Sequence, residues 1–329
     1  MHRRMIQWQS LLFSAFMGLT ICLSAFAQPS DYPNKPIKVV VTFPPGGSSD
    51  AIIRILSTRL NDKLGHPLVL DNRPGAGGNI GLTVVAKAAP DGYVLGVGAA
   101  GGLTANVSLY PQMPFDVTKD FAPITMLASI PFVLVGHPSV PADNLQQLIA
   151  LAKSQPGKVS IGHGGNGTAM HLSTALFTQM ADVKMIEVPY RGSGPAAMDT
   201  LSGQIQLSIT DLAAALPHIK AGKLKAFAVT SPKRLSNLPD VPTLSESGLT
   251  GYDSTGWFGL VAPAGTSPQI IQRLHAEFTA ALNDEAIKSQ MRQNGMEPVA
   301  TSIEGFDAYI KSETQKWARV IRQANIKLN

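Results

Sequence analysis

Short β-branched apolar runs alternate along most of this chain with stretches whose apolar residues recur every three or four positions. That pattern predicts strand-then-helix units and an α/β fold with a mostly parallel sheet. Residues 37–43 read as a strand buried on both faces, entering the turn Pro44-Pro45-Gly46-Gly47-Ser48. A helix follows: Ser48 or Ser49 supplies its cap, Asp50 sits in its positive first turn, and Ile52, Ile53, Leu56, Leu60 and Leu64 form its buried stripe. Gly65 stops it. Further strands are expected at 68–70, 93–97, 130–135, 158–161, 186–188, 205–210, 224–229 and 257–261, and helices at 80–88, 145–152, 169–180, 195–201 and 212–221. Three helices close the chain, the last with Phe306, Ile310, Trp317 and Ile321 on one side. Apolar passages near Leu127 and Tyr252 read as crossings between two lobes, with 28–127 plus 253–329 as the first and 128–252 as an inserted second.

The first 27 residues stand apart. His2, Arg3 and Arg4 precede an apolar stretch from Leu11 to Ala25, and Ala25-Phe26-Ala27 gives a small-residue exit before Gln28. This is the pattern of a secretory signal peptide cleaved after Ala27, too interrupted by Ser14, Gly18, Thr20 and Ser24 for a membrane anchor. An exported, periplasmic protein is the expectation.

Composition narrows the chemistry. At 329 residues, 44% hydrophobic and 15% charged, the chain supports two core-forming domains and is too apolar for disorder. The net charge of +5 falls to +3 once Arg3 and Arg4 are removed, and no long basic run exists, so no nucleic-acid partner is expected. The single cysteine, Cys22, lies in the leader. The mature chain therefore has no disulfide, thiolate metal site or cysteine nucleophile.

Glycine-rich turns at 44–48, 98–102 and 162–168 carry most of the candidate chemistry. Each frees backbone N–H groups at the start of an expected helix, where unpaired donors and the helix dipole hold a carboxylate or phosphate. Ligands of open α/β sheets bind beyond the strands' C-terminal ends, where Tyr190-Arg191-Gly192 also falls. Two dinucleotide-like matches, 96–101 and 162–167, lack the preceding first strand and the right compartment, and 44–48 lacks a Walker ending, so no cofactor is expected. No Gly-x-Ser-x-Gly elbow or His-Glu-x-x-His helix is present, and the chain does not read as an enzyme. Ser48, Ser49 and Ser193 read as helix caps. His163 and His171 have no carboxylates clustered with them in sequence, so no metal is expected, and either packing or ligand contact is open to them. Asp211 reads as an N-cap or a ligand contact, and Arg191 as a carboxylate fork or a solvated charge.

The chain resembles the Bug-type periplasmic solute-binding proteins of tripartite tricarboxylate transporters. The resemblance rests on residues 32–37, Phe43-Pro44-Pro45-Gly46-Gly47 with Asp50 and Arg54, Asn72-Arg73-Pro74-Gly75-Ala76-Gly77-Gly78, and Pro90-Asp91-Gly92-Tyr93. It continues through Leu109-Tyr110, Asp120-Phe121, Val188-Pro189-Tyr190, Gly222-Lys223-Leu224, residues 238–243 and residues 262–266. It implies a periplasmic binding protein type II-like fold, a Venus flytrap of two lobes. The cleft between them binds a small organic acid, whether a di- or tricarboxylate, an amino acid or an aromatic acid, and a monomeric receptor delivers it to membrane permease subunits. Carried onto this chain, the ligand-binding set is Phe43, Gly47, Ser48, Ala99, Ala100 and Gly101 from the first lobe. The second contributes Gly165, Asn166, Gly167, Thr168, Tyr190, Arg191 and Asp211. One departure is the loop Gly162-His163-Gly164-Gly165-Asn166-Gly167, where relatives usually show a serine near its start, and another is Val107 after Asn106, where proline is common. A periplasmic enzyme on a carboxylated substrate, or a ligand-presenting partner of a membrane sensor, is the alternative.

Overall fold

The computed structural model describes residues 32–323 and 326. The leader at 1–27 and its cleavage point lie outside the described residues. In chain order the strands are β1 (Ile37–Val41), β2 (Leu68–Asn72), β3 (Val94–Ala99), β4 (Phe121–Ile130), β5 (Phe132–Gly136), β6 (Ser160–His163), β7 (Ile186–Pro189), β8 (Leu207–Asp211), β9 (Lys225–Val229), β10 (Gly256–Pro263) and β11 (Glu297–Pro298). The helices are α1 (Ser48–Leu64), α2 (Asn79–Ala86), α3 (Asn106–Leu109), α4 (Leu145–Ser154), α5 (Ala169–Met180), α6 (Ser193–Leu201), α7 (Leu212–Lys220), α8 (Pro268–Leu282), α9 (Glu285–Gln293) and α10 (Ile303–Gln323).

The strands form a six-stranded sheet, ordered β11-β4-β10-β3-β1-β2, and a five-stranded one, ordered β7-β6-β8-β5-β9. The expectation of a mostly parallel sheet needs correction. β1 is parallel to β2 and β3, and β6 to β7 and β8, but β10 runs antiparallel to β3 and β4, and β5 antiparallel to β8 and β9. The reason is topological. Pro131 alone separates β4 in one sheet from β5 in the other, and the chain returns between Val229 and Gly256. A strand that arrives from the other sheet needs no crossover helix and can enter reversed.

β4 lies outside the expected strands except for Ile130, and the strand expected at 130–135 is broken at Pro131, beyond which β5 joins the other sheet. Pro123 near the start of β4 argues against a central strand, yet it pairs with Val261 beside a register shift in β10, the kind of irregularity that tolerates proline. Where periodicity was clear, expectation and structure coincide. Val39, Val40 and Val41 of β1 are fully buried, as are Ile52, Ile53, Leu56 and Leu60 along α1. The closing helix α10 seats Phe306 directly on Gly259 of β10, where an added Cβ would lie 2.0 Å from the ring, and Trp257 meets Phe306 edge-on at 5.7 Å. Among the described residues no helix is long and apolar enough to cross a membrane.

Candidate ligand-binding cleft

The turn after β1 is pinned before it reaches the helix. Asp50 Oδ2 accepts from the Gly46 amide at 3.2 Å and from Arg54 Nε at 2.7 Å. Asn72 Nδ2 donates to Asp50 Oδ1 at 3.3 Å and to the Phe43 carbonyl at 3.0 Å. Burial works to raise the Asp50 carboxyl, but the hydrogen bonds from Arg54, Gly46 and Asn72 outweigh it and hold the group below its ordinary value. Gly47, not a serine, occupies the N-cap of α1 and has no side chain with which to cap. Ser48 is thereby the first helical residue. Its hydroxyl turns across to Asp211 Oδ2 at 2.7 Å, while Ser49 Oγ is buried with no protein partner. The expectation that either serine caps α1 is corrected by that one-residue offset. Ser193 is displaced likewise: Gly192 holds the N-cap of α6 without a side-chain bond, and Ser193 Oγ donates to the same Asp211 oxygen at 2.7 Å. Asp211 does cap, with Oδ1 accepting the Ala214 amide at 3.0 Å at the start of α7.

Three helix N-termini, those of α1, α6 and α7, thus meet over one cavity of about 300 Å³. Gly47, Ser48 and Ser49 line it from one side, and Arg191, Ser193 and Asp211 from the other. α1 and α6 point uncapped ends into it, so unpaired amides and two helix dipoles favour an anion there. A second cavity of about 580 Å³ shares Phe43, Pro44 and Arg191 with the first and extends between Gly75, Tyr110, Gly165, Asn166, Thr168 and Tyr190. The Tyr190 hydroxyl donates to Asp199 at 2.8 Å; burial and that carboxylate push it up to about 12.

The structure therefore brings together Phe43, Gly47, Ser48, Gly165, Asn166, Thr168, Tyr190, Arg191 and Asp211 around two adjoining cavities. Ala99, Ala100, Gly101 and Gly167 line neither. Gly101 opens a π-helical turn, Gly101–Ala105, and packs onto the opposite bend: a Cβ there would lie 2.2 Å from the Gly167 carbonyl oxygen. One at Gly167, whose φ is +78°, would lie 2.8 Å from Asn106 Oδ1. Here the bends touch backbone to backbone. Ser49 and Gly194, outside the candidate set, also line the first cavity, and Gly192-Ser193-Gly194 at the start of α6 carries the same glycine–serine signal as 46–48. Asn294 and Met296 reach the first cavity from the far end of the chain, with no local signal.

The loop between β6 and α5 departs from expectation. Three of its amides are already engaged. Gly165 N donates to His163 Nδ1 at 3.2 Å, Gly167 N to His171 Nδ1 at 3.4 Å, and Thr168 N to the Gly165 carbonyl at 3.2 Å. Thr168 Oγ1 caps α5 by accepting from the His171 amide. Nor do the histidines lack a carboxylate in space. The parallel pairing of β6 and β7 sets Glu187 opposite Ile161, and its Oε2 lies 3.8 Å from Nε2 of each imidazole. The rings sit 4.8 Å apart. Burial, with help from His171, pushes His163 down to about 3; burial pushes His171 down to about 4 and raises Glu187.

Two sheets joined by two chain crossings, with helix ends from both facing an anion-favouring cavity, define a two-lobed solute-binding protein. Residues 52–326 match a family model described as "Tripartite tricarboxylate transporter family receptor" (TctC), and the chain belongs to that family. It is 38% identical to Protein BugT of Bordetella pertussis, over 95% of this chain and 98% of that one. Among solved structures it resembles R. palustris Rpa4515 with adipate, at 34% identity and a TM-score of 0.87 over 90% of this chain and 99% of that one. It also resembles MatC (Rpa3494) from Rhodopseudomonas palustris with bound malate, at 30% identity and 0.83 over 88% and 100%.

Proposed function

We propose that this protein is a periplasmic receptor that captures a small organic carboxylate between its lobes and hands it to the permease subunits of a tripartite tricarboxylate-type transporter. The observation that carries the reading is the convergence of the α1, α6 and α7 N-termini on the first cavity. One carboxylate of the ligand sits there, against the amides of Ser48 and Ser49 and the Arg191 guanidinium. The body of the acid extends into the second cavity, between Tyr110 and Tyr190. Relatives solved with adipate and malate support a diacid of about that length. The lobes follow the two sheets, with β4 running to Ile130, three residues beyond the expected boundary at 127, the first crossing at Pro131 and the return between Val229 and Gly256; the leader is removed after Ala27, and the receptor works as a monomer without metal or cofactor. The closed form is the one that the Ser48–Asp211 bond spans, and ligand shifts the population toward it.

The test is identification by mass spectrometry of what co-purifies with the denatured protein, followed by a thermal-shift screen of organic acids. A ligand selective for the native state raises the melting temperature, and by more as its concentration exceeds its Kd. A carboxylic acid that does so, and is recovered unchanged after incubation, supports the receptor. Conversion of the acid to product would instead support an enzyme, and indifference to every organic acid would defeat the reading.

A further inference from the structure

The backbone around His163 and His171 fixes where their hydrogens lie. An amide N–H can donate only to an imidazole nitrogen that bears a lone pair, and in both rings that nitrogen is Nδ1, facing Gly165 at 3.2 Å and Gly167 at 3.4 Å. In a neutral imidazole the hydrogen must then be on Nε2. Both Nε2 atoms lie 3.8 Å from the same oxygen, Glu187 Oε2, within reach of its charge but beyond a hydrogen bond. A half-buried acid facing two Nε2–H donors reinforces the tautomer that the amides select. The two histidines are almost wholly buried, at 1% and 3% exposure, in the floor beneath the 164–168 loop. That loop forms one wall of the second cavity through Gly164, Gly165, Asn166 and Thr168, and its Gly167 carbonyl is the point on which Gly101 closes.

Two histidines and a glutamate with ligand atoms all within 4.8 Å of one another also have the composition of a divalent-metal site. The geometry disfavours it. A metal at Nε2 needs a lone pair there and a hydrogen on Nδ1, which a second-shell acceptor normally receives. Here both Nδ1 atoms face donors.

Building on the receptor reading, we propose that His163 and His171 are positioning residues for ligand capture. As Nε2–H tautomers, with the Glu187 charge on the Nε2 side, they accept the Gly165 and Gly167 amides and so fix the loop against which the opposite lobe and the ligand close. Neither touches the ligand.

Asparagine and glutamine separate the two ends of the ring. Asn Oδ1 takes the place of Nδ1 and can accept the amide; Gln carries an amide donor out toward Nε2 and leaves the Nδ1 position empty. The experiment compares His163→Asn, His163→Gln, His171→Asn and His171→Gln with the parent. Its readouts are imidazole tautomers by long-range 15N–1H correlation, hydrogen exchange at Gly165 and Gly167, and affinity for adipate and malate. The expected result is Nε2–H at both positions, amide protection kept in each Asn variant and lost in its Gln counterpart, and affinity at least tenfold weaker in Gln than in Asn. Nδ1–H tautomers, or equal losses in Asn and Gln, would overturn the proposal. So would Zn2+ that binds the parent with shifts at both imidazoles and fails to bind Glu187→Gln. A parent protein that binds neither adipate nor malate would count against those acids as ligands, while tautomer and exchange would still decide for or against the histidine device.

Discussion

The turn at 44–48 and the loop at 162–168 look alike in the sequence, each a glycine-rich passage between a strand and a helix, yet they do opposite things with their amides. At the first, Gly47 caps α1 with no side chain, Ser48 turns away to Asp211, and the helix end is left open to a cavity. At the second, Thr168 caps α5, and two imidazoles accept the glycine amides from beneath. One wall is a bare anion cradle, the other a self-satisfied scaffold. Glycine content tells where a backbone can approach a ligand closely; it does not tell whether its donors are still free, because that depends on side chains supplied from elsewhere.

The largest effect that sharpens this contrast is a pH dependence confined to the scaffold wall. From pH 6.5 to 4 the unfolded chain takes protons on His163 and His171 that the folded chain refuses, since their folded values lie near 3 and 4. Stability is therefore complete above about 6.5 and falls as pH drops. Glu187, raised by burial, opposes the fall at its acidic end. The expected net loss between pH 6.5 and 4 is on the order of 3 kcal/mol, read by urea unfolding, with His163→Asn flattening the slope. A flat profile in the parent would mean that the imidazoles are solvated and the two walls are not so different.

Next comes Gly101→Ala, which sets a methyl group against the Gly167 carbonyl of the opposite wall. Overpacking of about 2 kcal/mol in the closed form predicts roughly thirtyfold weaker adipate binding in titration calorimetry, with the circular dichroism of the free protein unchanged. Undiminished affinity would show that the bends need not meet.

Asp211→Ala probes the cradle. Its carboxylate already receives Ser48, Ser193 and the Ala214 amide, so it has little left to offer a ligand hydroxyl. Loss of the bridge and the cap, together about 1–2 kcal/mol, predicts the same factor of about tenfold for malate and for adipate. A markedly larger loss for malate would restore Asp211 as a direct contact.

The smallest effect is expected from Arg54→Ala. The guanidinium is 61% exposed, and Asp50 keeps the Gly46 amide and Asn72 without it. The midpoint of chemical denaturation should stay at the parent's value; a clear loss would mean that the exposed ion pair, not the buried hydrogen bonds, holds the cradle in place.

How much was legible followed the range of the interaction responsible. Strands and helices with clean periodicity, from β1 and α1 to the three closing helices, were readable because burial of one face is written into consecutive residues. β4 before Ile130 is not legible as a strand, since Pro123 argues locally against one that a register shift in β10 accommodates. Of the candidate residues, Phe43, Gly47, Ser48, Tyr190 and Arg191 come to the cavities from strand ends that the pattern marked. Asn294 and Met296 arrive from a helix end whose own sequence offers no hint.

By itself the sequence determined the α/β class and the strand-end position of the glycine-rich turns, because these follow from side-chain periodicity and from where glycine frees the backbone. The tertiary structure alone decided which amides stay free, which serines cap and which reach across to Asp211, and that Glu187 would meet two histidines. Those outcomes rest on pairings between residues up to 163 positions apart, and a hydrogen bond is settled only when both of its partners are in place.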